Sequence, residues 1–143
     1  MMSSRDALGA LIFSYAERID AGDLPGVAAL FADATYGSVQ GGAYRGSAAV
    51  LEVLQRLVIL HADGTPRTKH VTTNLVIDVD ETANTASARS YFTVLQAVDG
   101  FPMQPIVAGR YQDHFVREHG TWRFAERLIA MDLIGDLSRH LRR

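Results

Sequence analysis

The second half of the chain is made of long stretches with strand-like alternation, joined by turns too short to hold anything else, and this constrains the fold more than any other feature. Lys69–Asp80 and Thr85–Val98 are separated only by Glu81, Thr82, Ala83 and Asn84, a hairpin-length turn. Ile106–Glu118 and Thr121–Asp132 are separated by His119-Gly120, a two-residue hairpin loop. Each stretch predicts a strand, and such short links force neighbouring strands to run antiparallel.

The first half has a different period. From Ser3 to about Ala21, the residues Leu8, Leu11, Ile12, Tyr15 and Ile19 recur at steps of three and four, with Ser4 as the expected N-cap and Gly22 as the stop. Asp23 then caps a short second helix with Pro25 in its first turn and Val27, Leu30 and Phe31 on one side. Ala34 to Tyr44 is expected to hold a short strand and a turn at Gly41-Gly42. Gly46-Ser47 opens a third helix predicted to run to about His61, its broad apolar coverage implying deep burial. Ala62 to Pro66 is a loop. Helices followed by a strand meander make an α+β fold.

Residues 1–143 are expected to form one domain, since no linker, repeat or low-complexity segment divides them. Apolar residues are 48% of the chain, enough for a substantial core, yet no stretch approaches the roughly 20 that a spanning helix needs. The first apolar run lacks a basic lead and a small-residue cleavage pattern, so neither a membrane partner nor a secretory signal is expected. The 14 basic and 16 acidic residues are dispersed, which argues against a nucleic-acid partner. The one basic cluster, Arg139, His140, Arg142 and Arg143, is read as a solvated helix end. With no cysteine there is no disulfide, thiol nucleophile or thiolate metal site, and a cytoplasmic location follows. His61, His114, His119 and His140 have no metal-binding spacing, and no phosphate loop, dinucleotide fingerprint or serine elbow is present. No metal and no cofactor are expected.

Thr68 to Asn74 (TKHVTTN), Gly109 to Asp113 (GRYQD) and Gly120 to Arg127 (GTWRFAER) fall in a distinctive order. So do Tyr15 through Asp20-Ala21-Gly22-Asp23, Leu30 to Ala34 (LFADA) and Tyr44-Arg45-Gly46. Across nearly the whole chain this resembles the SnoaL-like branch of the nuclear transport factor 2-like superfamily. The resemblance implies a cystatin-like cone: three N-terminal helices packed on a strongly curved, mainly antiparallel sheet enclosing a pocket, often as a homodimer through the outer sheet face. Such relatives include scytalone dehydratase, ketosteroid isomerase, polyketide cyclases and noncatalytic dioxygenase β subunits, so the fold alone leaves the function open.

The same resemblance puts His70, Asp20 and Tyr36 where scytalone dehydratase-like enzymes have a catalytic histidine, its orienting aspartate and a pocket tyrosine. The chemistry is coherent, because a carboxylate on one imidazole nitrogen leaves the other basic, and a phenol can stabilise an oxyanion. Tyr15, Asn74, Tyr91, Phe92, Tyr111 and Met131 are the expected ligand-pocket residues. By strict alternation His70, Thr72, Asn74 and Val76 share one face, and Val71, Thr73, Leu75 and Ile77 the other. Ile19 and Tyr111 replace a second tyrosine and an asparagine of the dehydratase pattern, which points to general proton transfer instead of that particular dehydration. Arg110, Asp113 and Asp132 supply the residue types of an epoxide hydrolase-like triad, although Arg110, Asp113, Arg123 and Arg127 are adequately explained as cross-strand ion pairs.

Plainer readings compete. A strand histidine is ordinarily a satisfied core residue, and Asp20 sits in a natural helix-hairpin turn. The expectation is a small-molecule-binding protein, a cofactor-independent lyase or isomerase acting on a small apolar or aromatic carbonyl compound. The alternative is a noncatalytic binding or assembly subunit.

Overall fold

The computed structural model describes residues 2–142. Helix α1 (Ser4–Asp20) buries Leu8, Ile12, Tyr15 and Ile19 along one stripe. Its N-cap is Ser3, one residue before the expected Ser4, with Ser3 Oγ accepting from the Asp6 N–H at 3.1 Å. Ser4 is used elsewhere: its hydroxyl donates to Glu81 and accepts from the indole N–H of buried Trp122, tying α1 to the far end of the sheet. Helix α2 (Leu24–Ala29) is capped by Asp23, with Pro in its first turn, as the sequence predicts.

Strands β1 (Thr35–Ser38) and β2 (Ala43–Arg45) form a hairpin around the Gly41-Gly42 turn. Helix α3 (Ser47–Leu57) buries Val50, Val53 and Leu54. It stops short of His61 because Val58 turns extended and bridges the C-terminal Leu141. Only one stripe of α3 is deeply buried, which is narrower than its sequence suggests.

The long strands are β3 (Thr68–Asp80), β4 (Thr85–Val98), β5 (Phe101–Glu118) and β6 (Thr121–Ile134). The sheet order is β2-β1-β6-β5-β4-β3, antiparallel except where β1 runs parallel to β6. His119 and Gly120 both take positive φ, as a two-residue hairpin twisting with its strands requires. Helices α1 and α3 lie against the concave side, and the core fills the space between them and the sheet.

Two bulges reset which side chains face inward. In β3 the register shifts between Thr73 and Val76, with Asn74 at φ 53°, a conformation asparagine tolerates. Strict alternation would place Asn74 and Val76 beside His70. Past the bulge they are exposed, and Ile77 turns into the core instead. In β6 the shift opposite His114 and Phe115 lets Phe124 and Arg127, three apart, both point inward.

Candidate functional site

The concave side holds a partly open cavity of about 290 Å³. A volume of this order is at the small end for ligand sites and suits a compound of one or two fused rings. Ile19 of α1, Leu54 and Leu57 of α3, and Val94, Val107 and Met131 of the sheet make most of its wall apolar. Among the described residues no Lys, Arg, Asp or Glu lines it; the polar groups that converge on it are mainly tyrosine hydroxyls and imidazoles.

The last turn of α1 lies against the start of β3, and this packing aligns the strongest polar contact of the cavity. Asp20 Oδ1 accepts from His70 Nδ1–H at 2.7 Å and from the Thr68 hydroxyl at 2.8 Å, while Oδ2 accepts from the His70 backbone N–H at 2.8 Å. Burial pushes the Asp20 carboxyl up, but the bonds and charge from His70 together with Thr68 outweigh it and hold the group below the usual carboxylate range. A carboxylate can only accept, so it fixes the proton on Nδ1 and leaves His70 Nε2 as the free nitrogen. The rival turn role falls to Asp23, whose carboxylate caps Gly26 N–H at 2.9 Å.

Across the cavity the hydroxyls of Tyr15 and Tyr36 lie 2.7 Å apart. Either one donating to the other leaves the second proton free for a ligand. Tyr111 meets Tyr15 edge-on at 5.8 Å and stacks on Phe92 at 4.5 Å. Burial raises the pKa of all three phenols, so they stay protonated donors. Behind them Arg127 forms a bidentate pair with Asp113 at 2.8 and 2.9 Å, both side chains wholly buried. Its guanidinium lies 3.7 Å from the Tyr111 ring centroid and 4.4 Å from that of Tyr15. Burial would lower the Arg127 pKa, but Asp113 holds it above the ordinary value.

His70, Tyr15, Tyr36, Phe92, Tyr111 and Met131 therefore share one cavity, with Asp20 behind His70. Asn74 and Tyr91 do not join them. Asn74 is turned out by the β3 bulge, and Tyr91, 54% exposed, lies on the outer sheet face one residue from inward Phe92. Arg110 pairs with Asp132 in the open at 2.8 and 3.0 Å, whereas Asp113 pairs inward with Arg127, so the three residues of the hydrolase-like triad do not meet. Among the described residues no three His, Asp or Glu side chains gather as metal ligands would.

One cavity residue runs against its sequence reading. The tail is not a solvated helix end: Leu137, His140 and Leu141 fold over the cavity, and His140 is 5% exposed. Arg143 lies outside the described residues. The imidazoles of His140 and His70 are 5.9 Å apart between centroids, and His140 Nδ1 has no hydrogen-bond partner. Leaving such a group unpaired costs about 1–3 kcal/mol. The apolar residues at 137 and 141, spaced to flank His140, are the sequence signal for an inward strap.

Burial, then the neighbouring His70 and His61, push the His140 pKa down to about 4, with Asp20 opposing. Between pH 6.5 and 4 the unfolded chain binds a proton that the folded chain refuses. The stability from a neutral His140 is thus complete above pH 6.5 and lost as pH falls towards 4. The loss amounts to about 3 kcal/mol. Urea titrations of wild type and His140→Leu across that range should show the variant's stability falling less steeply. Parallel curves would refute the assignment.

Residues 1–128 match the SnoaL-like domain family. No curated protein matches the chain. Among solved structures, a Mycobacterium tuberculosis protein of unknown function, Rv3472, is 29% identical over 90% of this chain and 71% of its own, with a TM-score of 0.73. A putative scytalone dehydratase from Novosphingobium aromaticivorans is 24% identical over 91% of this chain and 85% of its own, with a TM-score of 0.70. The hexachlorocyclohexane dehydrochlorinase LinA-type3 from Novosphingobium barchaimii is 22% identical over 94% and 90%, with a TM-score of 0.73. At these last two identities the likeness is one of fold. No helix among the described residues is long and apolar enough to cross a membrane.

Proposed function

The chain belongs to the SnoaL-like domain family, and on that premise we propose that it is a cofactor-independent lyase or isomerase acting on a small, largely apolar carbonyl compound. The observation that carries this reading is the Asp20–His70 pair, which leaves a tautomer-fixed imidazole on a largely apolar cavity lined, among the described residues, by no Lys, Arg, Asp or Glu. His70 Nε2 would remove a proton from the carbon beside the carbonyl, and the bonding pair would move to the oxygen as an enolate. The Tyr15–Tyr36 pair would donate one O–H to that oxygen. Collapse of the enolate would return the electrons to carbon. The proton on His70 would then go either to a second carbon, an isomerisation, or to a departing β-hydroxyl, a dehydration. The neighbours named for a dehydratase and a dehydrochlorinase lend support, since both names describe eliminations.

Solvent-deuterium exchange tests the proton transfer without knowledge of the true substrate. In D2O, 2-tetralone should exchange its C1 protons faster with the protein than with buffer at matched pH, followed by proton NMR. No acceleration with this ketone or with a panel of similar bicyclic ketones would sink the reading.

One surface feature bears on how copies of the chain assemble, whether or not the cavity is catalytic. The outer sheet face exposes Val71, Val76 and Tyr91, an apolar strip across β3 and β4. We propose that a second copy of this chain covers it. Light scattering should give twice the chain mass for the wild type and the single mass for Tyr91→Glu. A wild-type monomer, or a stoichiometric hetero-complex, would rule out the homodimer.

A further inference from the structure

The C-terminal strap is pinned by contacts that do not use the imidazole of His140. Its carbonyl accepts from Ile59 N–H at 2.8 Å, and Arg142 N–H donates to the Leu57 carbonyl at 2.7 Å. Gln96 Nε2 donates to the Arg139 carbonyl at 2.9 Å, and His61 Nε2 meets the same oxygen at 2.9 Å. A leucine at position 140 would satisfy every one of these contacts. It would also continue the apolar surface of Leu137 and Leu141 without burying a polar atom. The imidazole meets the His70 ring edge-on but makes no hydrogen bond among the described residues, and its 95%-buried ring sits on the cavity wall. Nδ1 is closed off even from the cavity, which leaves Nε2 as the ring nitrogen to meet a ligand there, and an imidazole held in so costly a place, where an apolar side chain would serve the fold, calls for a role.

The geometry points to His140 as a ligand-binding residue that, together with His70, grips the hydroxyl of an uncharged ring compound, the hydroxyl donating to His70 Nε2 and accepting from the His140 ring N–H. A hydrogen bond sets an oxygen roughly 4 Å from an imidazole centroid, so rings whose centroids are 5.9 Å apart can share one. The oxygen belongs to a neutral group, not a carboxylate, because among the described residues no Lys or Arg lines the cavity and buried Arg127 is already held by Asp113. The apolar remainder of the wall selects the ring. This inference rests on the cavity's binding a small carbonyl or hydroxyl compound, but not on His70 acting as a base.

2-Naphthol and 2-methylnaphthalene test it, since they differ only by a hydroxyl in place of a methyl. Titration calorimetry on the wild type should show 2-naphthol binding at least tenfold more tightly. In His140→Leu that ratio should fall at least fivefold, while 2-methylnaphthalene binds as well as before and the urea midpoint at pH 7.5 is unchanged or higher. A ratio that survives in His140→Leu overturns the inference. So does a lowered urea midpoint with an intact ratio, which would mark a structural histidine. Equal binding of both compounds to the wild type defeats this inference but leaves the cavity reading standing; no binding of either defeats both.

Discussion

Asp113→Ala is expected to destabilise the protein by about 3–5 kcal/mol, because it removes the partner of a buried cation and leaves the charge in place. Both side chains of the Asp113–Arg127 pair are fully buried, and Arg127 already has one unpaired nitrogen, Nη1. Without Asp113 the guanidinium keeps only the faces of Tyr111, Tyr15 and Phe124. Such contacts are worth about 2 kcal/mol or more when desolvated, but ring faces do not accept the fork of N–H bonds or neutralise the charge as a bidentate carboxylate does. For a chain of this size the loss lowers Tm by about 10–15 °C. The double variant Asp113→Leu with Arg127→Met should recover most of that stability, since well-packed apolar replacements of buried ion pairs are often neutral. Urea unfolding of the three proteins measures both effects. A loss below about 1 kcal/mol for Asp113→Ala would mean that water or another group reaches Arg127, contrary to its burial. The restored double variant should still differ in function, because Arg127 draws down the pKa of Tyr15, Tyr36 and Tyr111 and so strengthens their donation towards the cavity.

How much of this was legible beforehand depends on how local the signal is. The stripe Leu8, Ile12, Tyr15 and Ile19, the Asp23 cap and the His119-Gly120 hairpin are set by nearest neighbours along the chain, and they stand where periodicity and turn chemistry place them. The facing of Asn74 and of Arg127 is not local. Each follows from a bulge whose extra residue is fixed by the fit between paired strands, and period two cannot anticipate it. His140 is a further case. Its neighbours Arg139 and Arg142 look solvated in the sequence, but the backbone of the strap pairs with Val58 and Ile59, and the ring follows it inward. The meeting of Asp20 with His70 spans 50 residues and was suggested by the family resemblance, not by spacing. What the structure adds is the donor set on Asp20, which no pattern of residue types conveys.

His70→Ala is expected to lower the deuterium-exchange rate by about 10²–10⁴, the usual contribution of a positioned general base. The fold should survive, because Asp20 keeps the Thr68 hydroxyl and the residue-70 backbone N–H as donors and is not stranded as a buried charge. An unchanged urea midpoint to within about 1 kcal/mol checks this. Asp20→Asn separates orientation from basicity: an amide can donate to Nδ1 and turn the basic nitrogen away from the cavity, so its loss should approach that of His70→Ala. Tyr36→Phe should lose less than Tyr15→Phe and Tyr36→Phe combined, since either hydroxyl of the pair can present the remaining proton to an oxyanion. The pattern is diagnostic because a binding module would show none of it. If His70→Ala exchanges 2-tetralone as fast as the wild type while remaining folded, the imidazole is not the base, and the cavity serves to hold a ligand and not to turn it over.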